Sequence, residues 1–395
     1  MGGSPELVVV SNRGPSRIVG KRRVRAAGGL VAALDPVLRA RGGVWVSAQA
    51  TDYPQVVPVE EPHLPYELVD VHLPPRAQQD FYGAVSNAVL WPLLHSMAPT
   101  IRLHAAPFEA YQQANAAFAA ATIAASRSRG TRFWIHDYHL MLVPERVRTL
   151  RRTARIGWFC HVPWPSPDLF RTLPWARQLL CGLLGADVLG FHTHGYAQNF
   201  LRCIEEILEL EVDHASESVR VDGRRVRVLT APIGVAFDDL QTLAASPPVA
   251  ARAQRLREAV GRAIVLGVDR LDHTKGIPER ILAFERLLES ERRARNRYVL
   301  VQVMVPSREA VRAYEELKNE IDRLVGDING RFSTTGLIPI HYFYRNLELP
   351  DLVAHYRAAD VALVTPRRDG MNLVAHEYAA ARVDGDGVLV LSELA

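Results

Sequence analysis

Several segments of this sequence set charged or proton-bearing side chains directly after short apolar, β-branched runs. After Leu7–Val10 come Ser11-Asn12-Arg13-Gly14-Pro15, a basic loop, and then Gly28-Gly29-Leu30. Paired glycines let a backbone approach a phosphate, and a helix start offers unused N–H groups. Taken alone, Gly-Gly before a helix is often only a tight turn. Arg13 adds a cation at a strand end, where an anion can dock. After Trp134–His136 come Asp137-Tyr138-His139, and after Ile156–Cys160 come His161-Val162-Pro163-Trp164-Pro165. A lone histidine at such a place is more often structural than chemical. Two strands repeating the pattern tilt the reading toward a site.

The second half repeats the arrangement. Ile264–Val268 leads into Asp269-Arg270-Leu271-Asp272-His273-Thr274-Lys275-Gly276. Arg270 and Lys275, five positions apart before a helix, have the charge and spacing to grip a diphosphate. A solvated loop with local Asp–Arg pairs fits that segment equally well, and no Walker loop is present. Val361–Val364 then leads into Thr365-Pro366-Arg367-Arg368-Asp369-Gly370-Met371-Asn372-Leu373-Val374-Ala375-His376-Glu377. The helix here is expected to open at Gly370 or Met371, with its N–H groups facing a phosphate or a sugar hydroxyl. Asp369 can accept from sugar hydroxyls, although an N-capping Asp is the ordinary alternative. Glu377, about two turns later on the same face, suits a ribose diol.

These residues need a scaffold. Leu7–Val10, Trp134–His136, Ile156–His161, Val188–His192, Val226–Ala231, Ile264–Val268, Tyr298–Val303, Val361–Val364 and Val388–Leu391 read as buried strands. Helical periodicity runs through Phe108–Ser126, His194–Leu210, Pro278–Ser290 and Arg308–Ile328. In Pro278–Ser290 it turns Ile281, Leu282, Phe284, Leu287 and Leu288 inward. Alternating strands and helices predict parallel sheets with crossover helices. The 395 residues fit two domains, split near residue 235 after Ala231-Pro232-Ile233-Gly234. The expected architecture is α/β: two Rossmann-like, doubly wound domains, 1–235 and 236–395, facing a cleft, with ligands at the strands' C-terminal ends.

Composition narrows the function. A hydrophobic fraction of 48% with 23% charged residues belongs to a globular protein. No apolar run is long enough to cross a bilayer, and Met1–Leu7 has no leader pattern. The net charge of +4 is spread along the chain, with clusters at Lys21-Arg22-Arg23, Arg151–Arg155 and Arg292–Arg297. It comes without a nucleic-acid-binding motif, so neither nucleic acid nor membrane is an expected partner. Cys160, Cys181 and Cys203 have no metal or disulfide spacing and read as three buried thiols in a reducing cytoplasm.

The chain resembles the trehalose-6-phosphate synthases, retaining glycosyltransferases of the GT-B fold. The resemblance runs from Leu7 to the last residue. It rests on Val10-Ser-Asn-Arg-Gly14, Ser86-Asn-Ala-Val-Leu-Trp-Pro92, His136-Asp-Tyr-His-Leu140, His161-Val-Pro-Trp-Pro165, Asp269-Arg-Leu-Asp272 with Lys275-Gly276, and Asp369-Gly-Met-Asn-Leu-Val374. Several such strings in one order are specific where any single one is weak. The resemblance implies transfer of glucose from UDP-glucose, or another nucleoside-diphosphate glucose, to glucose 6-phosphate, without a cofactor or metal. It makes the N-terminal domain the acceptor side and the C-terminal domain the donor side, and leaves homo-oligomerisation open. It implies that Arg13, Tyr82, Trp91 and Arg308 surround the acceptor, with Asp137 on its hydroxyls. Gly29, Arg270 and Lys275 would hold the donor diphosphate, and His161 and Asp369 the donor sugar. The Gly370, Met371, Asn372, Leu373, Val374 backbone would cradle sugar and phosphates, and Glu377 the ribose. Asp137, His161, Arg270, Lys275 and Asp369 form the implied catalytic set. In the front-face route the resemblance implies, the departing phosphate takes the acceptor's proton, and the two cations neutralise leaving-group charge.

Three departures from the family pattern carry expectations. A Trp-x-Gly-Trp loop is usual where this chain reads Trp45-Val-Ser-Ala-Gln-Ala50, with Ser47 and Ala48 replacing glycine and the second tryptophan. Losing that aromatic surface implies a changed hold on the acceptor. It keeps open a sister transferase acting on glycerol 3-phosphate or a cyclitol phosphate. His273 and His376 stand where Tyr and Lys are usual, beside the donor segments. The chain stops at Leu391-Ser-Glu-Leu-Ala395, before the helices with which the family continues. The expectation is a C-terminally shortened donor domain with apolar surface at its last strand, and a non-catalytic homologue stays as a third reading. Asp384-Gly385-Asp386 is expected to be a turn rather than a metal site.

Overall fold

Runs of valine and isoleucine form strands here because helices cover both faces of a parallel sheet. The computed structural model describes residues 6–19, 22–25, 29–50, 64–97, 107–307 and 312–395. Arg308, Gly28 and Lys21 lie outside them. The chain divides into two units, Met1–Ile233 and Gly234–Ala395.

The first unit contains β1 (Leu7–Ser11), β2 (Ser16–Val19), β3 (Arg22–Arg25), β4 (Val44–Ala50), β5 (Glu67–Leu73), β6 (Arg132–His136), β7 (Arg155–Phe159), β8 (Val188–Phe191), β9 (Val212–Asp213), β10 (Ser218–Val221) and β11 (Arg224–Thr230). β2 and β3 pair as a separate antiparallel ribbon. The others form one sheet in the order β5-β4-β1-β6-β7-β8-β11-β10-β9. It is parallel from β5 to β11. The last two strands are antiparallel, so the sheet is mixed where wholly parallel pairing was expected. Val8, Val10, Phe133, Ile135, Ile156, Trp158 and Leu189 stack through its centre. Each such side chain contributes about 1.5–3 kcal/mol on burial.

Two further expectations change. The Trp45–Ala50 stretch is strand rather than loop. Trp45 is fully buried, packed with Val31, Leu34 and Leu38 of the helix Gly29–Arg41. Cys160 and Cys203 are buried, but Cys181 is exposed on the outer face of the helix Ala176–Leu183.

The second unit contains β12 (Ala263–Arg270), β13 (Tyr298–Val305), β14 (Ile340–Tyr344), β15 (Val361–Val364) and β16 (Val388–Leu391). They form an all-parallel sheet in the order β14-β13-β12-β15-β16. Numbered within the unit this is 3-2-1-4-5, the first five strands of the doubly wound Rossmann order. Its helix Ile277–Ser290 departs from the periodicity. Leu282 is 44% exposed, while Arg280 is 2% exposed and lies on the covered face with Ile277, Ile281, Phe284 and Leu288. All four residues of β16 are exposed apolar side chains. Asp384–Asp386 forms a turn with Gly385 at φ 70°. Among the described residues no helix is long and apolar enough to cross a membrane.

Candidate active site

In an open α/β sheet the strand order reverses at one point, and the loops leaving the two strands there diverge to leave a crevice. In the first unit that point lies between β1 and β6, where Val10 pairs with Ile135. The loops beyond carry Arg13 and Asp137.

The Arg13 loop is pinned from beneath. Trp45 Nε1–H donates to Ser11 Oγ at 2.8 Å, and Ser11 Oγ–H donates to the Arg13 carbonyl at 2.7 Å. The Asn12 carbonyl accepts from Ala48 N at 3.2 Å. The Arg13 guanidinium stays exposed and donates to the Tyr82 hydroxyl. The Tyr82 ring stacks on His139, with centroids 5.6 Å apart and planes 13° from parallel. Tyr82 belongs to Gln79–Leu90, a stretch with π-helical pitch between Pro75–Gln78 and Trp91–Leu94. Such wide turns are frequent at functional sites. Trp91 is 9% exposed and packs on His95 at 4.1 Å and on Tyr138 at 5.8 Å between ring centroids.

Asp137 holds φ at 75°, a conformation that costs a residue with a Cβ about 1–3 kcal/mol. Neighbouring bonds fix it there. Its N–H donates to the Phe159 carbonyl at 2.7 Å, and its carbonyl accepts from Trp158 Nε1 at 3.3 Å. The carboxylate accepts from the backbone N–H of His161 at 3.2 Å and lies 3.8 Å from His139 Nδ1. The His161 ring meets His136, Nε2 to Nδ1, at 3.0 Å, with His192 5.5 Å away between centroids. Burial and these two imidazoles hold His161 well below the usual histidine range, and burial takes His136 down to about 3. His136 and His161 are therefore neutral at pH 7 and offer hydrogen bonds rather than charge.

In the second unit the order reverses between β12 and β15, where Leu266 pairs with Ala362. Arg270 ends β12 with an exposed side chain. Asp272 Oδ1 accepts from Thr274 N at 3.0 Å, closing a short turn that presents Lys275. Gly276 follows at φ 61°, and a Cβ there would lie 2.4 Å from the Thr365 carbonyl oxygen. Glycine is required on both counts. The Lys275 ammonium pairs with the Asp369 carboxylate, which also accepts from Gly370 N at 2.9 Å and Asn372 Nδ2 at 3.0 Å. Arg367 N donates to the Thr274 carbonyl at 2.8 Å. The two loops are thus joined at three depths.

The following helix is Leu373–Ala381, capped by Asn372, whose side chain accepts from Ala375 N. It opens later than Gly370 or Met371, because an asparagine cap outcompetes the glycine before it. Gly370 and Met371 lie in the loop, and the N–H groups free to bind an anion at the helix start are those of Leu373 and Val374. Glu377 accepts from the Tyr356 hydroxyl at 2.7 Å. Burial raises its pKa, and the tyrosine opposes that shift. Sequence reasoning missed Tyr138, Asn87 and His192 around the first crevice, and Arg280, Gln302 and Thr365 beneath the second. Gly29 opens the helix Gly29–Arg41 and is exposed. Among the described residues no group of three or more His, Cys, Asp or Glu is arranged to hold a metal ion.

Comparisons with known proteins give the family. A model of glycosyltransferase family 20 matches residues 5–395. A trehalose-6-phosphate synthase of Mycobacterium sp. (strain JLS) is 43% identical, across 99% of this chain and 83% of the relative. One of Mycolicibacterium smegmatis is 41% identical, across 99% and 80%. An alpha,alpha-trehalose-phosphate synthase (UDP-forming) of Burkholderia xenovorans, in complex with glucose-6-phosphate, superposes with a TM-score of 0.90 at 34% identity, across 99% and 86%. An E. coli structure bound with UDP-2-fluoro glucose gives 0.88 at 33%, across 99% and 85%. Fold and family together define a glycosyltransferase built from two Rossmann-like units. The chain belongs to glycosyltransferase family 20.

Proposed function

We propose that this chain transfers glucose from UDP-glucose to glucose 6-phosphate with retention at the anomeric carbon, releasing UDP and trehalose 6-phosphate. The relatives named above are trehalose-6-phosphate synthases, one of them UDP-forming and in complex with glucose-6-phosphate. The observation that carries the reading is the Lys275–Asp369 pair across the switch point of the second unit, with Arg270 beside it at the end of β12. A diphosphate reaching that crevice meets a lysine already oriented by a carboxylate. Once the phosphates take over the ammonium, Asp369 is released to accept from sugar hydroxyls. Arg270 and Lys275 then neutralise the charge that grows on the leaving phosphate, and no metal is needed. The free N–H groups at Leu373 and Val374 add a fixed partial charge, and Glu377 takes the ribose.

In this reading the unit Met1–Ile233 supplies the acceptor side. Arg13 takes the phosphate and Tyr82 the sugar, with Trp91 behind and Asp137 on the attacking hydroxyl. Neutral His161 donates to the transferred sugar. Gly29 serves the diphosphate, and Arg308 gives a second cation to the acceptor phosphate. The departing phosphate oxygen accepts the acceptor's proton, so no side-chain base is assigned. The three free cysteines fit a reducing cytoplasm.

The test is UDP or other nucleotide release from UDP-, ADP- and GDP-glucose against glucose 6-phosphate, glycerol 3-phosphate and a cyclitol phosphate, with a chelator present. The UDP-glucose and glucose 6-phosphate pair is expected to turn over fastest and to ignore the chelator. Faster turnover with another acceptor would replace the acceptor assignment, and silence throughout would overturn the reading.

A further inference from the structure

Arg280 is a buried charge of a type that helices ordinarily keep in water. Its side chain has no exposed surface. It lies beneath the crevice between β12 and β15, and its guanidinium reaches four acceptors. Nη1 pairs with the Asp269 carboxylate and donates to Gln302 Oε1 at 3.1 Å. Nε donates to Thr365 Oγ1 at 3.1 Å, and Nη2 to the Lys275 carbonyl at 3.3 Å. Those acceptors come from β12, from β13, from the first residue after β15, and from the loop that presents the donor-site lysine. The backbone makes room for this head group at Gly267. A Cβ there would lie 2.3 Å from Gln302 Oε1 and 2.8 Å from Arg280 Nη1.

Such a group is poorly explained as a stability device. Desolvating a guanidinium and a carboxylate costs several kcal/mol per ion, and apolar replacements of similar volume often do as well. What an apolar residue cannot do is hold the Lys275 backbone and the Thr365 side chain at one spacing. A planar, always charged fork can.

We propose that Arg280 is a positioning residue: it fixes the Lys275 loop against the Thr365–Asp369 loop and so sets the geometry in which the donor diphosphate is gripped. The inference rests on the donor-site reading given above. The loss should fall on donor kinetics, because every bond Arg280 makes is to the donor loops or to the strands that bear them. Burial pushes the Asp269 carboxyl up and Arg280 opposes the shift, so deleting the guanidinium outright would strand a buried acid. The informative variants are milder. Arg280→Lys keeps the charge and loses the fork. Thr365→Val keeps the ion pair and the packing, and removes the single bond to Nε.

The experiment measures melting temperature, kcat and both KM values for these variants, together with UDP binding by calorimetry. Thr365→Val is expected to fold with a modestly lowered melting temperature, since a buried Nε–H loses its acceptor, to lose severalfold in kcat/KM for UDP-glucose, and to keep the KM for glucose 6-phosphate. Arg280→Lys is expected to lose about tenfold to a hundredfold in kcat/KM for UDP-glucose, the range in which small misplacements are felt, and to bind UDP more weakly. Wild-type donor kinetics and UDP affinity in a folded Thr365→Val would overturn the inference even if Arg280→Lys failed to fold. So would equal losses in donor and acceptor terms. Failure of the wild type itself to bind UDP would instead remove the donor-site reading on which the inference stands.

Discussion

Arg13 shows how little of a site residue's placement lies in the residue itself. Its loop is held by a relay from Trp45 through Ser11 to its own carbonyl, so Trp45 supports the chain beneath the cation. Strand-end position made Arg13, Asp137, Lys275 and Asp369 legible as candidates. The relay was not legible, because it depends on which residues of β1 and β4 stand opposite. Replacing Arg13 by alanine should remove a charge-assisted contact worth about 1.5–3 kcal/mol and raise the KM for glucose 6-phosphate by about ten- to a hundredfold, with slow hydrolysis of UDP-glucose unaltered. Steady-state kinetics in both substrates decides this, and an unchanged acceptor KM would take Arg13 out of the acceptor site. The histidines make a second prediction. His136 titrates near 6.5 when unfolded and is held to about 3 by burial. Below pH 6.5 the unfolded chain therefore binds a proton that the folded chain refuses. Stability falls as pH drops through that window, by about 1.4 kcal/mol per pH unit for this one group. Melting curves between pH 7 and 5 should show the slope, and His136→Gln should flatten it. Equal slopes in the two proteins would deny His136 that role.

Elements were legible where they are long or continuously apolar. The helices Phe108–Ala124 and His194–Leu208 and the strands β12, β13, β15 and β16 follow their apolar patterns. β5 and β14 escaped notice because both mix polar with apolar residues. The start of Leu373–Ala381 was misplaced because glycine after an aspartate imitates a helix opening, whereas Asn372 makes the cap. Turn chemistry yields a prediction at this scale. Gly276→Ala must bear a left-handed conformation costing about 1–2 kcal/mol and push against the Thr365 carbonyl. It should lower both the melting temperature and kcat/KM for UDP-glucose, while leaving the KM for glucose 6-phosphate in place. An alanine variant with wild-type donor kinetics would show that the contact between the two loops does not matter for transfer.

At the scale of the whole chain, alternating strands and helices were enough to give two α/β units. The strand orders, which no local pattern encodes, then located a crevice in each. Those orders explain why residues far apart in sequence gather at the ends of β1 and β6, and of β12 and β15. The buried polar joints beneath the crevices were the least legible part, since a charge such as Arg280 on a helix is ordinarily solvated. Proton NMR of the purified product from UDP-glucose and glucose 6-phosphate tests retention and acceptor together. Two α-anomeric protons with small couplings, in a phosphorylated disaccharide that no longer reduces, are the expected result. A β-anomeric proton at the transferred sugar, or a product that still reduces, would contradict retaining transfer to the anomeric hydroxyl of glucose 6-phosphate.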